Sequence, residues 1–268
     1  MLSRLLAAVQ IDPGGRGLAN DPIDNLFTAT AGQFERACES LARATHVAIV
    51  TGFFIPGATP PAFETDGPLG AWFLHRTLKS LGISSEIRSE PPVLRAIGLA
   101  FDSGDPSHVV FIERGGPGLD GIRRTMRGTD ITDYLDPSFD LVPPDTVTIG
   151  IGDGGNEIGM GSIPHETIVR NIPNGDSIHC RVPVDHLIVA GVSNWGAYAL
   201  GAGVAHVRGK SVPTHLHDPT YQLDVLRRMV AAGPLVDGVT GLPTATVDGL
   251  SWSDYTRPLE AIRDTLIS

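Results

Sequence analysis

The chain has 268 residues and a formal charge of −10 at pH 7, with 41% hydrophobic and 19% charged residues. That length buries a sizeable core in one large α/β domain or two small ones, and the composition is ordinary for a globular protein. The acidic balance argues against a nucleic-acid partner, and no apolar run approaches the ~20 residues of a membrane-spanning helix.

The N-terminal MLSRLLAAVQID lacks the long apolar region and cleavage pattern of a secretory signal. Cys38 and Cys180 show no metal-ligand spacing and read as buried thiols in a reducing compartment. The expectation is a cytoplasmic protein with no membrane partner.

In chain order, residues 2–10 have helical apolar spacing, and IDPGGRGLANDP is loop chemistry holding Arg16 among glycines. Gln33 to Ala44 reads as an amphipathic helix and His46 to Val50 as a buried strand. A long loop follows, TGFFIPGATPPAFETDGP, with Glu64 and Asp66 in it. Pro68 then suits the first turn of a helix over Leu69 to Leu81, stopped by Gly82. A short strand is expected at Ser85 to Arg88, a helix at Pro92 to Phe101, and a buried strand at His108 to Ile112.

That last strand runs into Glu113, Arg114 and a glycine-rich segment, and Asp130 to Leu135 suggests a helical turn. Val147 to Ile151 is a buried strand before a loop with Asp153, Asn156 and Glu157 among five glycines. A helix near Pro164 to Arg170 and a strand at SIHCRV follow. HLIVAGV, His186 to Val192, is a strong strand leading into Ser193, Asn194 and Trp195 and a small-residue helix to about Val207. Helices at Tyr221 to Ala232 and Asp254 to Leu266 complete the chain.

Buried runs alternating with amphipathic helices predict an α/β fold. The expected form is a mainly parallel β-sheet with helices on both faces, three-layered and Rossmann-like but without dinucleotide binding. No linker interrupts it, so residues 1–268 read as one domain. Ligands in such sheets bind at the carboxyl ends of the strands. On that edge fall Glu64 and Asp66, Glu113 and Arg114, Asp153, Asn156 and Glu157, and Ser193 and Asn194. Carboxylates after strands also N-cap helices, so convergence of all four loops is the informative signal.

Two motifs fail on inspection. Gly150, Gly152 and Gly155 fit a dinucleotide fingerprint, but Asp153 inside it would repel a pyrophosphate. Gly209-Lys210-Ser211 has the wrong glycine spacing for a phosphate loop and reads as a helix C-cap. No nucleotide cofactor is expected. His215 and His217 form a short pair without a third ligand in view, and a surface loop is the simpler reading.

TGFFIP with PPAFETDGPLGA, FIERGGPGLDG, GIGDGGNEIGMGS and DHLIVAGVSNWGAYAL, in that order, resemble the C-terminal domain of the D-glutamate cyclase family. The likeness runs from about Asp12 to Val247–Leu250 and is weakest over residues 208–239. It implies conversion of D-glutamate to 5-oxo-D-proline and water, a carbon–oxygen lyase reaction on a small amino acid.

The residues suit that chemistry. Asp153, Glu157 and Glu113 would hold a hard divalent cation, Mn²⁺ or Mg²⁺, and Glu64 or Asp66 could accept the amine proton. Arg16 and Arg114 are candidate clamps for substrate carboxylates, with the helix start at Ser193 to Trp195, and Asn156 and Asn194 beside them. A related lactam hydrolase or hydro-lyase and a non-catalytic binder of an anionic metabolite are the alternatives. A homo-oligomer is compatible with this sequence.

Overall fold

A computed structural model describes residues 1–98 and 104–267. The elements are α1 (Leu2–Val9), α2 (Leu26–Ala29), α3 (Gln33–Leu41), β1 (His46–Gly52), β2 (Phe54–Ile55), β3 (Ala62–Glu64), α4 (Pro68–Ser80), β4 (Ser84–Arg88) and α5 (Pro91–Ile97). They continue with β5 (His108–Arg114), β6 (Val147–Gly152), α6 (His165–Asn171), α7 (Gly175–Ile178), β7 (His186–Val189), α8 (Ser193–Val207), α9 (Pro219–Ala232), β8 (Leu235–Val236) and α10 (Trp252–Ile267).

The main sheet has the order β4-β1-β5-β6-β7 and every pairing is parallel. Alternation along the strands divides the core. Val47, Ile49, Val110, Ile112, Ile149, Ile151 and Ile188 face one cluster with helices α1, α3, α4 and α8. Ala48, Val50, Val109, Phe111, Leu187 and Val189 face a second, closed by Leu18, Leu26, Ile158, Ile163, Ile168 and Ile178. Both faces are therefore covered, as the continuous apolar strands predicted.

The chain leaves β1 for β4 on one side and returns to β5 on the other. The topological switch point therefore lies between β1 and β5, where parallel sheets open a crevice. A small second sheet, β2-β3-β8, stands beside that crevice. Its strands β2 and β3 lie inside the long loop expected after β1, too short for a periodicity to register. Thr65 donates its N–H to Val236 O at 2.8 Å, which ties this sheet to the segment around residue 240.

Two local expectations are corrected. The strand expected at SIHCRV is absent: Gly175–Ile178 is a helical turn, and Cys180 and Arg181 bond to the loop carbonyls of Gly155 and Pro117. Ile178 and Cys180 point into the second core, so their alternation reflects burial and not sheet pairing. In HLIVAGV the strand ends at Val189. The helix expected from Pro92 is α5 and closes at Gly98 in the left-handed conformation, while its last part, residues 99–101, lies outside the described residues. Gly209-Lys210 does close α8, with Lys210 Nζ donating to Leu81 O at 3.2 Å.

No helix among the described residues is long and apolar enough to cross a membrane.

Candidate functional site

The switch point holds a cavity of about 260 Å³, lined on its polar side by Arg16, Glu64, Glu113, Asp153, Asn156, Glu157 and Asp248. Each wall has a local cause. Glu113 comes from a β-bulge: Thr51 pairs with Ile112 and Gly52 with Arg114, leaving Glu113 as an extra residue at φ 46°. A bulge re-aims a side chain and costs some backbone strain in a non-glycine residue. The Glu113 carboxylate accepts a 2.6 Å hydrogen bond from Ser193 Oγ.

Asp66 lies behind the cavity at the start of α8. Its carboxylate accepts the N–H groups of Ser193 at 2.9 Å, Asn194 at 2.8 Å and Gly67 at 3.0 Å. The unpaired donors of the helix N-terminus are thus met by an acid and not left for a substrate anion. Asn194 Oδ1 accepts from Gly67 and Gly70, and Trp195 is core, donating Nε1–H to Tyr255 O at 2.9 Å. Ser193, Asn194 and Trp195 therefore serve the architecture of the site. The expected anion-binding helix start is corrected.

The loop after β6 is braced by Glu157. One of its oxygens accepts Asp153 N–H at 3.0 Å and the other Gly155 N–H at 2.8 Å. Glu157 is not among the acids whose oxygens converge most closely. Among the described residues, the carboxylates with oxygens within 4.8 Å of one another are Asp66, Glu113 and Asp153, all buried. Oxygens trans to one another on Mg²⁺ stand about 4 Å apart, so this donor set fits a hard cation with small side-chain rotations.

Arg16 is the counter-charge. Asp12 organises its loop by accepting from the N–H groups of Arg16, Gly17 and Leu18. One guanidinium arm donates to Asp153 at 2.6 Å and to Gly191 O at 3.2 Å, and the other reaches Asp248 at 2.8 Å. Asp248 stands in a turn at φ 56° that Asp237 organises through Val239, Thr240 and Gly249 N–H groups. Sequence reading missed Asp248. Its Asp-Gly pair inside VDGL signals a turn and nothing more.

Arg114 is not in the cavity. The residue after the bulge faces the other way, and its fully buried guanidinium meets Glu90 at 2.8 Å and Asp140 at 2.9 Å. Its expected role as a substrate clamp is corrected to a structural one. Arg114→Ala would strand the buried Glu90 carboxylate, while Asp140 keeps Arg123, and should cost roughly 3–5 kcal/mol in unfolding free energy. Any molecules that still fold should keep the wild-type substrate preference, as chemical denaturation and steady-state assays would show.

Crowding sets the charge states. Burial, then the charges of Asp153, Glu157 and Asp66, raises Glu113 well above the usual carboxylate range. Burial and then Asp248 do the same to Glu64. Burial and Asp248 lift Asp66 to about 7 against the pull of its backbone donors and Arg16. Asp153 is also raised by burial, with the Arg16 contact opposing. For Arg16 itself, burial favours the neutral form, but Asp153 and Asp248 outweigh it and hold the guanidinium charged.

A carboxyl whose folded pKa exceeds its unfolded one stabilises the fold while protonated. That stabilisation is lost as pH rises from the unfolded value through the folded one. For Asp66 the window runs from 3.8 to about 7, and Glu64 and Glu113, raised in the same direction, add to the same fall. The melting temperature without added cation should therefore fall as pH rises through this range, and Mn²⁺ or Mg²⁺ should restore it most at the alkaline end. A flat melting profile from pH 5 to 8.5, by scanning calorimetry, would contradict the assigned charge states.

Known proteins resemble this chain along most of its length. The family described as "D-glutamate cyclase-like, C-terminal" matches residues 5–105 and 100–263. The human protein "D-glutamate cyclase, mitochondrial" is 32% identical over 244 residues, covering 76% of this chain and 38% of that protein. The chain thus spans well under half the length of this relative. Among solved structures, Mn²⁺-bound RecJ from Thermus thermophilus aligns with a TM-score of 0.36 at 10% identity, over 86% of this chain and 33% of that one. The family match and the human relative place this chain in the D-glutamate cyclase-like C-terminal family.

Proposed function

We propose that the chain cyclises D-glutamate to 5-oxo-D-proline and water. The observation that carries this reading is the gathering, in one cavity, of buried acids, Glu64 and Glu113, whose protonated form burial favours, beside Asp153, an acid held against an arginine. In the reaction the α-nitrogen forms a bond to Cδ, the carbon of the γ-carboxylate, and one of that carbon's two carbon–oxygen bonds breaks. The two protons lost from the ammonium leave with that oxygen as water, so the acid cluster ends in its starting protonation state.

Asp153, beside Arg16, takes a proton from the amine as general base. Glu113 or Glu64, protonated in this setting, gives one to the departing oxygen. Folding the substrate so that its ends meet supplies roughly 7–11 kcal/mol of the barrier without nucleotide chemistry. With a cation bound, Asp66, Glu113 and Asp153 would be ionised and would hold Mn²⁺ or Mg²⁺, which would polarise the γ-carboxylate and offset its charge, leaving Glu64 as the proton donor.

Residues 1–268 act in this reading as one domain on a small amino acid, without nucleic-acid or membrane partners. The free, buried thiols Cys38 and Cys180 support a reducing, cytoplasmic setting.

The test is incubation with D- or L-glutamate, with and without Mn²⁺ or Mg²⁺, and chiral chromatography of 5-oxoproline. Formation of the D-lactam supports the reading. Opening of 5-oxoproline analogues without any cyclisation would assign a lactam hydrolase instead. Binding without turnover would assign a sensor.

A further inference from the structure

The cavity has more acids than cations, yet the proposed substrate brings two more carboxylates. Among the described residues only two cations line it, Arg16 and Arg127. Both arms of Arg16 are engaged by Asp153 and Asp248. Among the described residues the Arg127 guanidinium has no acid partner.

Arg127 is held over the mouth by a built hairpin. The backbones of Arg124 and Asp130 form an antiparallel β-bridge, Thr125 N–H donates to Thr129 O at 2.9 Å and Gly128 N–H to Thr125 O at 2.8 Å. The hairpin is fixed from both sides, since Asn156 Nδ2 donates to Arg124 O at 2.8 Å and Asn174 Nδ2 to Met126 O at 3.2 Å.

The Asn156 bond settles which way its amide faces. With Nδ2 spent on Arg124 O, Oδ1 is left as an acceptor with no partner, in a side chain that lines the cavity and is 1% exposed. A buried acceptor without a donor costs free energy and calls for a ligand N–H. One bound residue thus joins the hairpin to an unmet acceptor.

We propose that Arg127 and Asn156 Oδ1 together recognise the α-amino-acid head of the substrate, the guanidinium taking the α-carboxylate and the amide oxygen an ammonium N–H. This two-point grip directs the substrate's γ-carboxylate toward the acids beneath and restricts the site to amino acids with a free α-carboxylate. It rests on the cyclase reading for the identity of the substrate.

The test uses calorimetric binding of D-glutamate, its α-amide and glutarate, with turnover measured separately. Arg127→Gln should weaken D-glutamate by roughly 10- to 100-fold and leave the α-amide unchanged, with Arg127→Lys partly restoring it. Asn156→Ala should narrow the preference for D-glutamate over glutarate. Equal loss for D-glutamate and its α-amide in Arg127→Gln, or no loss at all, overturns the grip. Wild-type binding with the predicted Arg127 dependence but without lactam formation leaves the grip standing and removes the cyclase reading. No binding of D-glutamate overturns both.

Discussion

Glu113→Gln should lower turnover roughly 10²- to 10⁴-fold and at the same time raise the melting temperature of the cation-free protein at pH 8. Glutamine is the same shape, still accepts the 2.6 Å bond from Ser193 Oγ, and mimics the protonated carboxyl that burial favours. What disappears is the free energy of protonating Glu113 above its ordinary pKa, together with repulsion from Asp153, Glu157, Asp66 and Glu64. The stability gain should therefore grow with pH and vanish near pH 4, where the unfolded carboxyl is protonated too. Residues kept for chemistry often trade stability in this way. A variant that is both inactive and less stable at pH 8 would show that Glu113 is ionised in the folded protein and that its charges are compensated.

Gly191→Ala should damage both the fold and the site. A Cβ there would stand 1.8 Å from the backbone oxygen of Ile11, an atom that cannot swing aside. Gly191 also donates its N–H to Val9 O at 2.9 Å and accepts from Arg16 at 3.2 Å. Adding one methyl pushes away the segment that delivers Arg16 and leaves Asp153 and Asp248 without their counter-ion. The expected cost is roughly 3 kcal/mol, at the upper end of single-residue effects, read by urea unfolding. Loss of D-glutamate turnover should follow, and added salt should not recover it because these charges are buried. Near-wild-type stability would mean that the N-terminal segment is not clamped where the structure places it.

Much of the architecture could be read from the chain because parallel strands buried on both faces are continuous apolar runs. His46–Gly52, His108–Arg114 and Val147–Gly152 are all of this kind. Convergence of the post-strand loops was legible for the same reason: a parallel sheet puts every carboxyl end on one edge. Three things were not legible. Glu113 and Arg114 are neighbours of opposite charge, and only the bulge decides which enters the cavity. Glu157 and Asp66 are both acids near the site, but their roles follow from which backbone N–H groups each meets, a matter of three-dimensional distance. Asp248 and Arg127 stand in turns whose composition marks a reversal of the chain and is silent about what the side chain overhangs.

The long span between Arg16 and Asp248 has a consequence for how the protein is made. These two partners stand 232 positions apart in the sequence and close over carboxylates drawn from the segments between them. During synthesis the middle acids emerge long before Asp248 does. A nascent chain that reaches only β7 therefore lacks one of the two acid partners of Arg16, and this cavity wall is complete only once residue 248 has been made.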